Sequence, residues 1–230
     1  IDGSGGRPVP NSAIIIEGSR IKAVGVREYA SVNGAIVSKV RTPGGLIDIP
    51  ESAGIYDISG KTVVPGLIDA YVRDDGTKRT RVDMLAWGIT SANCMVEATD
   101  RALGLERETA PDTVESPHLY ATAPVFTAKN GWWGKDFPVD PGLNRFPSTA
   151  TDARAEVRKV KEKGIKRILL IYDDMRWCRD TLAPPVRVKK DIMAAILDEA
   201  GRQGLVAETY APRLKEAREI LAAGFTATKM

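Results

Sequence analysis

Short apolar runs separated by polar and turn residues mark the beginning of the chain, a pattern that is typical of β-strands. Two short apolar runs, Ala13–Glu17 and Arg20–Val24, flank the pair Gly18-Ser19, and this arrangement predicts a β-hairpin with a two-residue turn. Residues 28–59 carry weaker strand patterns that are interrupted by Gly and Pro. We therefore predict a small β-sandwich domain over residues 1–60.

The pattern changes after Gly60, where short apolar runs begin to alternate with longer amphipathic segments. Gly164, Gly201 and Gly224 follow three of these amphipathic segments, and Gly is the residue that most often ends a helix. The candidate strands are Val63–Ala70, Thr90–Glu97, Leu119–Thr127, Arg167–Asp173, Val206–Tyr210 and Thr226–Met230, and the candidate helices are Ala153–Lys163, Lys189–Ala200 and Pro212–Ala223.

Strand–helix–strand alternation implies parallel strands with crossover helices, which is an α/β architecture. We predict that residues 61–230 form an incomplete (β/α) barrel, since about six strands are present where a (β/α)8 TIM-like barrel needs eight. An open arc would leave two apolar edges exposed, so either the chain is a fragment or another element closes the barrel. We expect a fragment, because the chain begins at Ile1 and its last predicted strand ends at Met230.

The composition excludes some classes of partner. The 33 basic and 30 acidic residues leave a net charge of +3, which gives no reason to expect nucleic acid or an anionic membrane as a partner. No apolar run is long enough to span a bilayer, and no signal peptide is recognisable. We expect a cytoplasmic protein, with secretion left open because the chain does not begin with Met.

Few residues in the chain are suited to bind a transition metal. Zinc sites use neutral imidazoles, thiolates and carboxylates in convergent geometry, and the single histidine, His118, lies just before a predicted strand, at the stability face of a barrel. Cys94 and Cys178 fit no ligand spacing, so buried thiols are expected and a disulfide is the alternative. We interpret His118 as structural.

One loop is rich in aromatic residues. Trp132 and Trp133 lie between glycines after the third predicted barrel strand, at the end of a barrel that carries substrate loops. They predict a stacking wall for an apolar or aromatic ligand. A loop anchored by its own tryptophans, or in contact with a neighbouring subunit, is at least as well supported.

The most specific segment is Gly60–Arg73, GKTVVPGLIDAYVR. It resembles the entry into the barrel of metal-dependent amidohydrolases, in the imidazolonepropionase-like and prolidase-like branch. The segments Ile1–Gly6 and Ala13–Gly25 are similar to the opening of the same proteins, and Gly201–Met230 is similar to their fifth strand, helix and sixth strand. The resemblance covers nearly the whole chain and implies the amidohydrolase fold.

The resemblance also implies zinc or another divalent metal held by histidines, often a carboxylated lysine and an aspartate, and this metal activates water. The positions that correspond to these ligands in this chain are Tyr71, Arg73, Leu169, Tyr210, Pro212 and Met230. A phenol is a poor ligand, and a guanidinium stays protonated and has no lone pair to give. We therefore predict a degenerate metal site that holds no metal.

Polar residues near the carboxyl ends of the predicted strands remain candidates for a site. The cavity candidates are Tyr71, Arg73, Glu97, Asp173, Glu208, Tyr210 and Lys229. Arg73 paired with Glu208 or Asp173 would replace the charge and volume of the lost metal. Two active alternatives are Mg²⁺ or Ca²⁺ bound by carboxylates, and metal-free acid–base chemistry by a Glu and a Tyr.

Three hypotheses for function follow. The preferred one is an amidohydrolase-like pseudoenzyme, non-catalytic or a structural subunit of a larger assembly. The second is an active amidohydrolase that cleaves an amide, peptide or lactam bond, with its site completed by residues outside this chain. The third is a metal-free protein that binds a small ligand. The resemblance implies a homo- or hetero-oligomer, and a catalytically competent related subunit is one candidate partner.

Overall fold

The computed structural model describes residue 1 and residues 3–73, 77–95, 99–109, 115–132, 143–176 and 185–224. The chain divides into two compact units, Ile1–Pro65 and Gly66–Met230. Among the described residues, no helix combines the length and the apolar character that crossing a bilayer requires.

The first unit holds one antiparallel sheet of four strands in the order β1-β2-β3-β4. The strands are β1 Ser12–Glu17, β2 Arg20–Val32, β3 Ala35–Thr42 and β4 Gly45–Asp48. The predicted hairpin is confirmed, because Glu17 pairs with Arg20 around a Gly18 at φ 60°. The described residues of this unit form a single sheet, which the weak strand patterns after residue 28 extend, and the predicted sandwich stays a prediction.

The second unit alternates strands and helices, as the sequence predicts, and its strands pair in parallel. Two sheets are present, with strand orders β5-β6-β7 and β11-β10-β8-β9. The strands are β5 Leu67–Val72, β6 Ile89–Met95, β7 His118–Thr122, β8 Val125–Phe126, β9 Asn144–Arg145, β10 Arg167–Ile171 and β11 Val206–Tyr210. The helices are α1 Lys78–Ala86, α2 Thr99–Glu108, α3 Ala150–Glu162, α4 Lys190–Arg202 and α5 Leu214–Ala222. The fold class is α/β.

The three predicted helices are present as α3, α4 and α5, each with bounds close to those expected. Helix α3 begins where Thr149 and Asp152 form a capping box, which satisfies two backbone donors at the helix start. Helices α1 and α2 were not predicted. Helix α1 has no buried residue and therefore no apolar stripe to find, and α2 buries only Thr99, Ala102 and Leu105.

The third predicted barrel strand is split into β7 and β8. Pro124 lies between the two pieces and has no backbone N–H to donate to a neighbouring strand, so the ladder is interrupted there. The carbonyl of Pro124 still accepts from the amide of Leu169, at 3.1 Å, and this bond keeps the broken strand beside β10. The sixth predicted strand, 226–230, lies outside the described residues.

The two faces of these strands carry two different apolar clusters. The larger cluster joins alternate strand residues, such as Ala92, Cys94 and Ile168, to helix residues such as Val157 and Ile196. The smaller cluster contains Met95, Val125, Leu169 and Ile171, with Trp132, Leu143 and Tyr210 packed against it. Because successive strand side chains point to opposite faces, the smaller cluster marks the face that turns away from the helices. We call it the inner face.

Candidate functional site

Glu208 lies at the centre of a hydrogen-bond network on the inner face. Its Oε2 accepts from Asn93 Nδ2 at 2.7 Å, and its Oε1 accepts from the Thr122 hydroxyl at 2.8 Å. The Thr122 hydroxyl also lies 3.1 Å from Asn93 Oδ1, and Asn93 Nδ2 lies 3.3 Å from the carbonyl oxygen of Ala70. The network therefore connects β11, β6, β7 and β5, and both side chains that bind the carboxylate are neutral.

Strand alternation explains why these residues face inward. Asn93 stands between Ala92 and Cys94, which are both fully buried in the cluster that packs on the helices. Glu208 follows Ala207, a member of the same helix-facing cluster. The polar residues therefore occupy the opposite face, where Glu208 lies beside Leu169 of β10.

Trp132 and Tyr210 form the aromatic part of the inner face. Their ring centroids are 4.7 Å apart at an interplanar angle of 51°. The Thr127 hydroxyl donates to the carbonyl oxygen of Trp132 at 2.9 Å, and the Val186 amide donates to that of Asn130 at 2.9 Å. These bonds position the predicted aromatic loop against the strand that carries Glu208.

Asp173 lies just beyond the end of β10 and is only 1% exposed. Arg213, at the N-cap of α5, places Nη2 3.7 Å from Asp173 Oδ1 and 2.9 Å from Asp174 Oδ1. The same Nη2 lies 2.5 Å from Oε1 of Glu216, which is 2% exposed. A buried carboxylate must be paired with a cation, so Arg213 has a structural reason to lie here. The sequence analysis did not single out Arg213.

A second group missed by the sequence analysis surrounds Tyr172. The Tyr172 hydroxyl donates to Glu219 Oε2 at 2.6 Å, and the Arg187 guanidinium lies 4.6 Å above the Tyr172 ring. Burial, followed by the bond to Glu219, raises the pKa of Tyr172 to about 12. The same hydroxyl, more than the nearby Arg187, lowers the pKa of Glu219. Tyr172 packs in the helix-facing cluster, so this group is structural support behind the inner face.

The two predicted cavity residues of the first barrel strand are exposed. Tyr71 is 53% exposed, and its amide donates to Asp69 Oδ1 at 3.0 Å. Arg73 is also exposed. The register of β5 against β6 shifts between Asp69 and Val72, and the inward placement of Tyr71 and Arg73 stays a prediction.

The predicted pairing of Glu208 with Arg73 is replaced by the bonds of Glu208 to Asn93 and Thr122. Of the remaining predicted site residues, Glu97, Trp133 and Lys229 lie outside the described residues. Neither Asn93 nor Thr122 was singled out in the sequence, because nothing near them in the chain indicates a partner on β11.

His118 begins β7 and makes local contacts. Its Nδ1 lies 2.7 Å from the carbonyl oxygen of Thr109, and its ring meets the Tyr120 ring edge-on at 4.4 Å between centroids. The Thr109 hydroxyl accepts from the Leu119 amide at 3.0 Å. These contacts tie the end of α2 to the start of β7, which is the structural role predicted for His118.

Among the described residues, the inner face offers few ligands for the divalent metal that the resemblance implies. Within the described ranges, no group of three or more His, Cys, Asp or Glu side chains converges to hold a metal ion. The position of the expected lysine is Leu169, which is 2% exposed within the apolar cluster. Glu208 supplies a single carboxylate, and two neutral donors already bind it.

Two surface pockets lie away from the inner face. One, of about 610 Å³, is lined by residues of β9 and α3 that include Arg145 and Lys159. The other, of about 450 Å³, is lined by α5 residues and Lys190. Neither pocket is lined by Glu208 or Tyr210, so the inner face belongs to neither of them.

No protein-family model matches the chain, and no curated protein matches its sequence. Solved structures do match its fold. A molinate hydrolase matches with a TM-score of 0.68 and 17% identity, over 97% of this chain and 54% of that chain. A protein described as an amidohydrolase matches with a TM-score of 0.65 and 18% identity, over 94% of this chain and 55% of that chain. A prolidase complexed with N-methylphosphonate-L-proline matches with a TM-score of 0.65 and 19% identity, over 93% of this chain and 54% of that chain.

The chain thus spans a little over half the length of these structures. At such identities the likeness shows the fold, and the metal-site substitutions that the sequence predicts stay a prediction. The chain has the fold of these amidohydrolases, and the resemblance carried by the segment Gly60–Arg73 is confirmed at that level.

Proposed function

We propose that this chain is an amidohydrolase-like protein with a degenerate metal site, and that it acts as a non-catalytic, structural subunit of a larger assembly. The observation that carries this proposal is the hydrogen bonding of the Glu208 carboxylate. Both oxygens of its carboxylate accept hydrogen bonds from Asn93 and Thr122 on neighbouring strands. This network ties Glu208 to neighbouring strands. Among the described residues, no group of three or more His, Cys, Asp or Glu side chains converges to hold a metal ion.

The surrounding residues support the same proposal. Leu169 contributes an apolar side chain where the family resemblance implies a lysine, and Tyr210 is in ring contact with Trp132. Activation of water by a metal needs at least three protein ligands in convergent geometry. Of the positions that the resemblance assigns to ligands, Leu169 and Tyr210 lie in the apolar and aromatic packing of the inner face.

A hydrolysis assay tests this proposal. The full chain, incubated with Zn²⁺ or Mn²⁺, is assayed against Xaa-Pro dipeptides and N-acyl amino acids. We expect no hydrolysis above the rate of buffer with the same metal. Saturable, metal-dependent hydrolysis that is lost in the variant Glu208→Gln would contradict the proposal, because that variant keeps the size of the side chain and removes only its charge.

The structural role is supported by the exposed edge of β5. This strand lies at the edge of its sheet, and Leu67 and Ile68 are 58% and 70% exposed. Soluble proteins usually cover or charge such apolar edges, so we propose that either the remaining strands of a longer chain or a subunit of the assembly covers this one. Sedimentation velocity is expected to show an oligomer that Ile68→Lys weakens. A monomer at all concentrations, unaffected by that change, would refute a self-assembled form.

A second candidate function is the binding of a small ligand without metal. The observation that favours it is the contact of Trp132 with Tyr210 beside the apolar cluster of the inner face. Aromatic and aliphatic walls with a few convergent polar groups are typical of small-molecule sites.

A further inference from the structure

The inner face combines one carboxylate with aromatic side chains. Glu208 and Tyr210 are two residues apart on β11, so their side chains share a face and lie about 7 Å apart along the strand. Trp132 extends the aromatic surface from Tyr210, with 4.7 Å between the ring centroids. Leu169 and Ile171 of β10 lie beside Glu208 and Tyr210 in register, and they add an aliphatic floor.

The charge of Glu208 is not neutralised by the residues that bind it. Its hydrogen-bond partners, Asn93 and Thr122, are both neutral. Among the described residues, no lysine or arginine forms an ion pair with Glu208, and Arg167 of the neighbouring strand β10 pairs with Glu106 at 3.2 Å. The inner face therefore attracts a cation.

The two neutral donors also orient the carboxylate. An ionised carboxylate has about four lone-pair sites, and the hydrogen bonds from Asn93 and Thr122 use one on each oxygen. One site on each oxygen is left for a further donor, and the carboxylate is held in place before that donor arrives. An ammonium group, which carries three donors and a full positive charge, suits this arrangement, while a ligand carboxylate would be repelled.

We propose that the inner face binds a small organic ammonium ion, with the ammonium group on Glu208 and the apolar or aromatic part against Tyr210 and Trp132. Aromatic ring faces attract cations, so the same rings also favour the positive end of such a ligand. The spacing of Glu208 and Tyr210 suits a ligand in which two or three carbon atoms separate the ammonium from an aromatic ring. This inference rests on the second candidate function, ligand binding without metal.

The test uses three probes of nearly equal size: 2-phenylethylammonium, 2-phenylethanol and phenylacetate. Binding of each to the full chain is measured by isothermal titration calorimetry and saturation-transfer NMR. We expect the ammonium probe to bind on the order of tenfold more tightly than the alcohol, because it makes a charge-assisted hydrogen bond, and phenylacetate to bind most weakly.

Variants locate the site. Glu208→Gln is expected to remove the preference for the ammonium probe over the alcohol, and Trp132→Ala to weaken the binding of both. Glu162→Gln is the matched control, because it removes one exposed carboxylate at the end of α3 and is expected to change nothing. Equal affinity for the ammonium probe and the alcohol, absence of binding by all three probes, or a preference that survives Glu208→Gln would each overturn the inference.

Failure of this inference is distinguishable from failure of the proposed function. The non-catalytic proposal is tested by metal binding and by hydrolysis, and the three probes measure neither of them. A chain that binds no ammonium ion and holds no metal would leave the structural role in place. A chain that hydrolyses a substrate with bound metal would refute the structural role whatever the probes show.

Discussion

The substitution Thr122→Val tests whether Glu208 is held as the structure shows. Valine has nearly the shape of threonine, so the change removes the hydroxyl that lies 2.8 Å from Glu208 Oε1 and 3.1 Å from Asn93 Oδ1. Thr122 is fully buried, so no water can take the place of its hydroxyl in the substituted chain. A hydrogen bond to a charged group contributes roughly 1.5–3 kcal/mol.

The expected loss is smaller than that range because Glu208 is only partly buried. Water reaches its carboxylate and replaces part of the lost interaction, so we expect the free energy of unfolding to fall by about 1–2 kcal/mol. The assay is equilibrium urea unfolding followed by far-UV circular dichroism. Thr90→Val is the matched control, because Thr90 is exposed on β6, and it is expected to change stability by less than about 0.5 kcal/mol.

A double-mutant cycle with Glu208→Met separates the hydrogen bond from other effects of the substitution. Methionine fills a similar volume and accepts no strong hydrogen bond, so the two changes together are expected to cost less than the sum of each alone, by about 1 kcal/mol. If Thr122→Val behaves like Thr90→Val, or if the two changes are additive, Thr122 does not hold Glu208 and the network account is wrong.

Three further predictions concern the rest of the second unit. The pKa of Tyr172 is raised to about 12, so ionisation of its phenol opposes folding. The free energy of unfolding is therefore expected to fall by about 2–3 kcal/mol as the pH rises from 10 towards 12. Tyr172→Phe should flatten this part of a pH–stability curve. The pKa of Glu199 and the pKa of Glu219 are both lower in the folded chain than their ordinary value of 4.5. The ionised carboxylates therefore stabilise the fold above pH 4.5, and this stability is lost as the pH falls through the folded pKa values. Unfolding measured at a series of acidic pH values should show a weaker pH dependence of stability for Glu199→Gln. Gly131→Ala places a Cβ 2.7 Å from the carbonyl oxygen of Val186 and should lower the free energy of unfolding by about 1–3 kcal/mol. Gly201→Ala adds a Cβ in open space on α4 and should raise the free energy of unfolding by about 0.5–1 kcal/mol.

Each of these three predictions has a result that would contradict it. An alkaline stability curve that Tyr172→Phe leaves unchanged would show that the phenol is not buried as described. Equal acid curves for the parent chain and Glu199→Gln would show that the hydrogen bond from Gln203 and the ion pair with Arg158 do not stabilise the ionised Glu199 carboxylate. A Gly131→Ala variant as stable as Gly201→Ala would mean that the aromatic loop is not packed against Val186.

The strands and the later helices could be predicted because their patterns are local. Helix α4 places Ile192, Met193, Ile196 and Leu197 on its buried face, a spacing that the sequence shows directly. Helix α1 could not be found in this way, because none of its residues is buried and its sequence has no apolar stripe. The inward direction of Glu208 followed from the alternation of β11, which is regular in the structure.

The candidate site was only half predictable because its bonds join distant parts of the chain. Asn93 and Thr122 lie 115 and 86 residues from Glu208, and neither carries a local signal of a partner. The placement of Tyr71 stays a prediction, and the register shift of β5 beside it cannot be read from an alternating sequence. The group around Arg213 and Glu216 depends on burial at the start of α5, which appears only after the fold is formed.

The most direct test of the central claim is the metal content of the chain, measured by inductively coupled plasma mass spectrometry. The protein is purified without chelator, and a second sample is incubated with Zn²⁺ and Mn²⁺ and then desalted. A degenerate site predicts far less than one metal ion per chain in both samples. A transition metal bound at close to one ion per chain, and lost in Glu208→Gln, would contradict the account and identify the inner face as a working metal site.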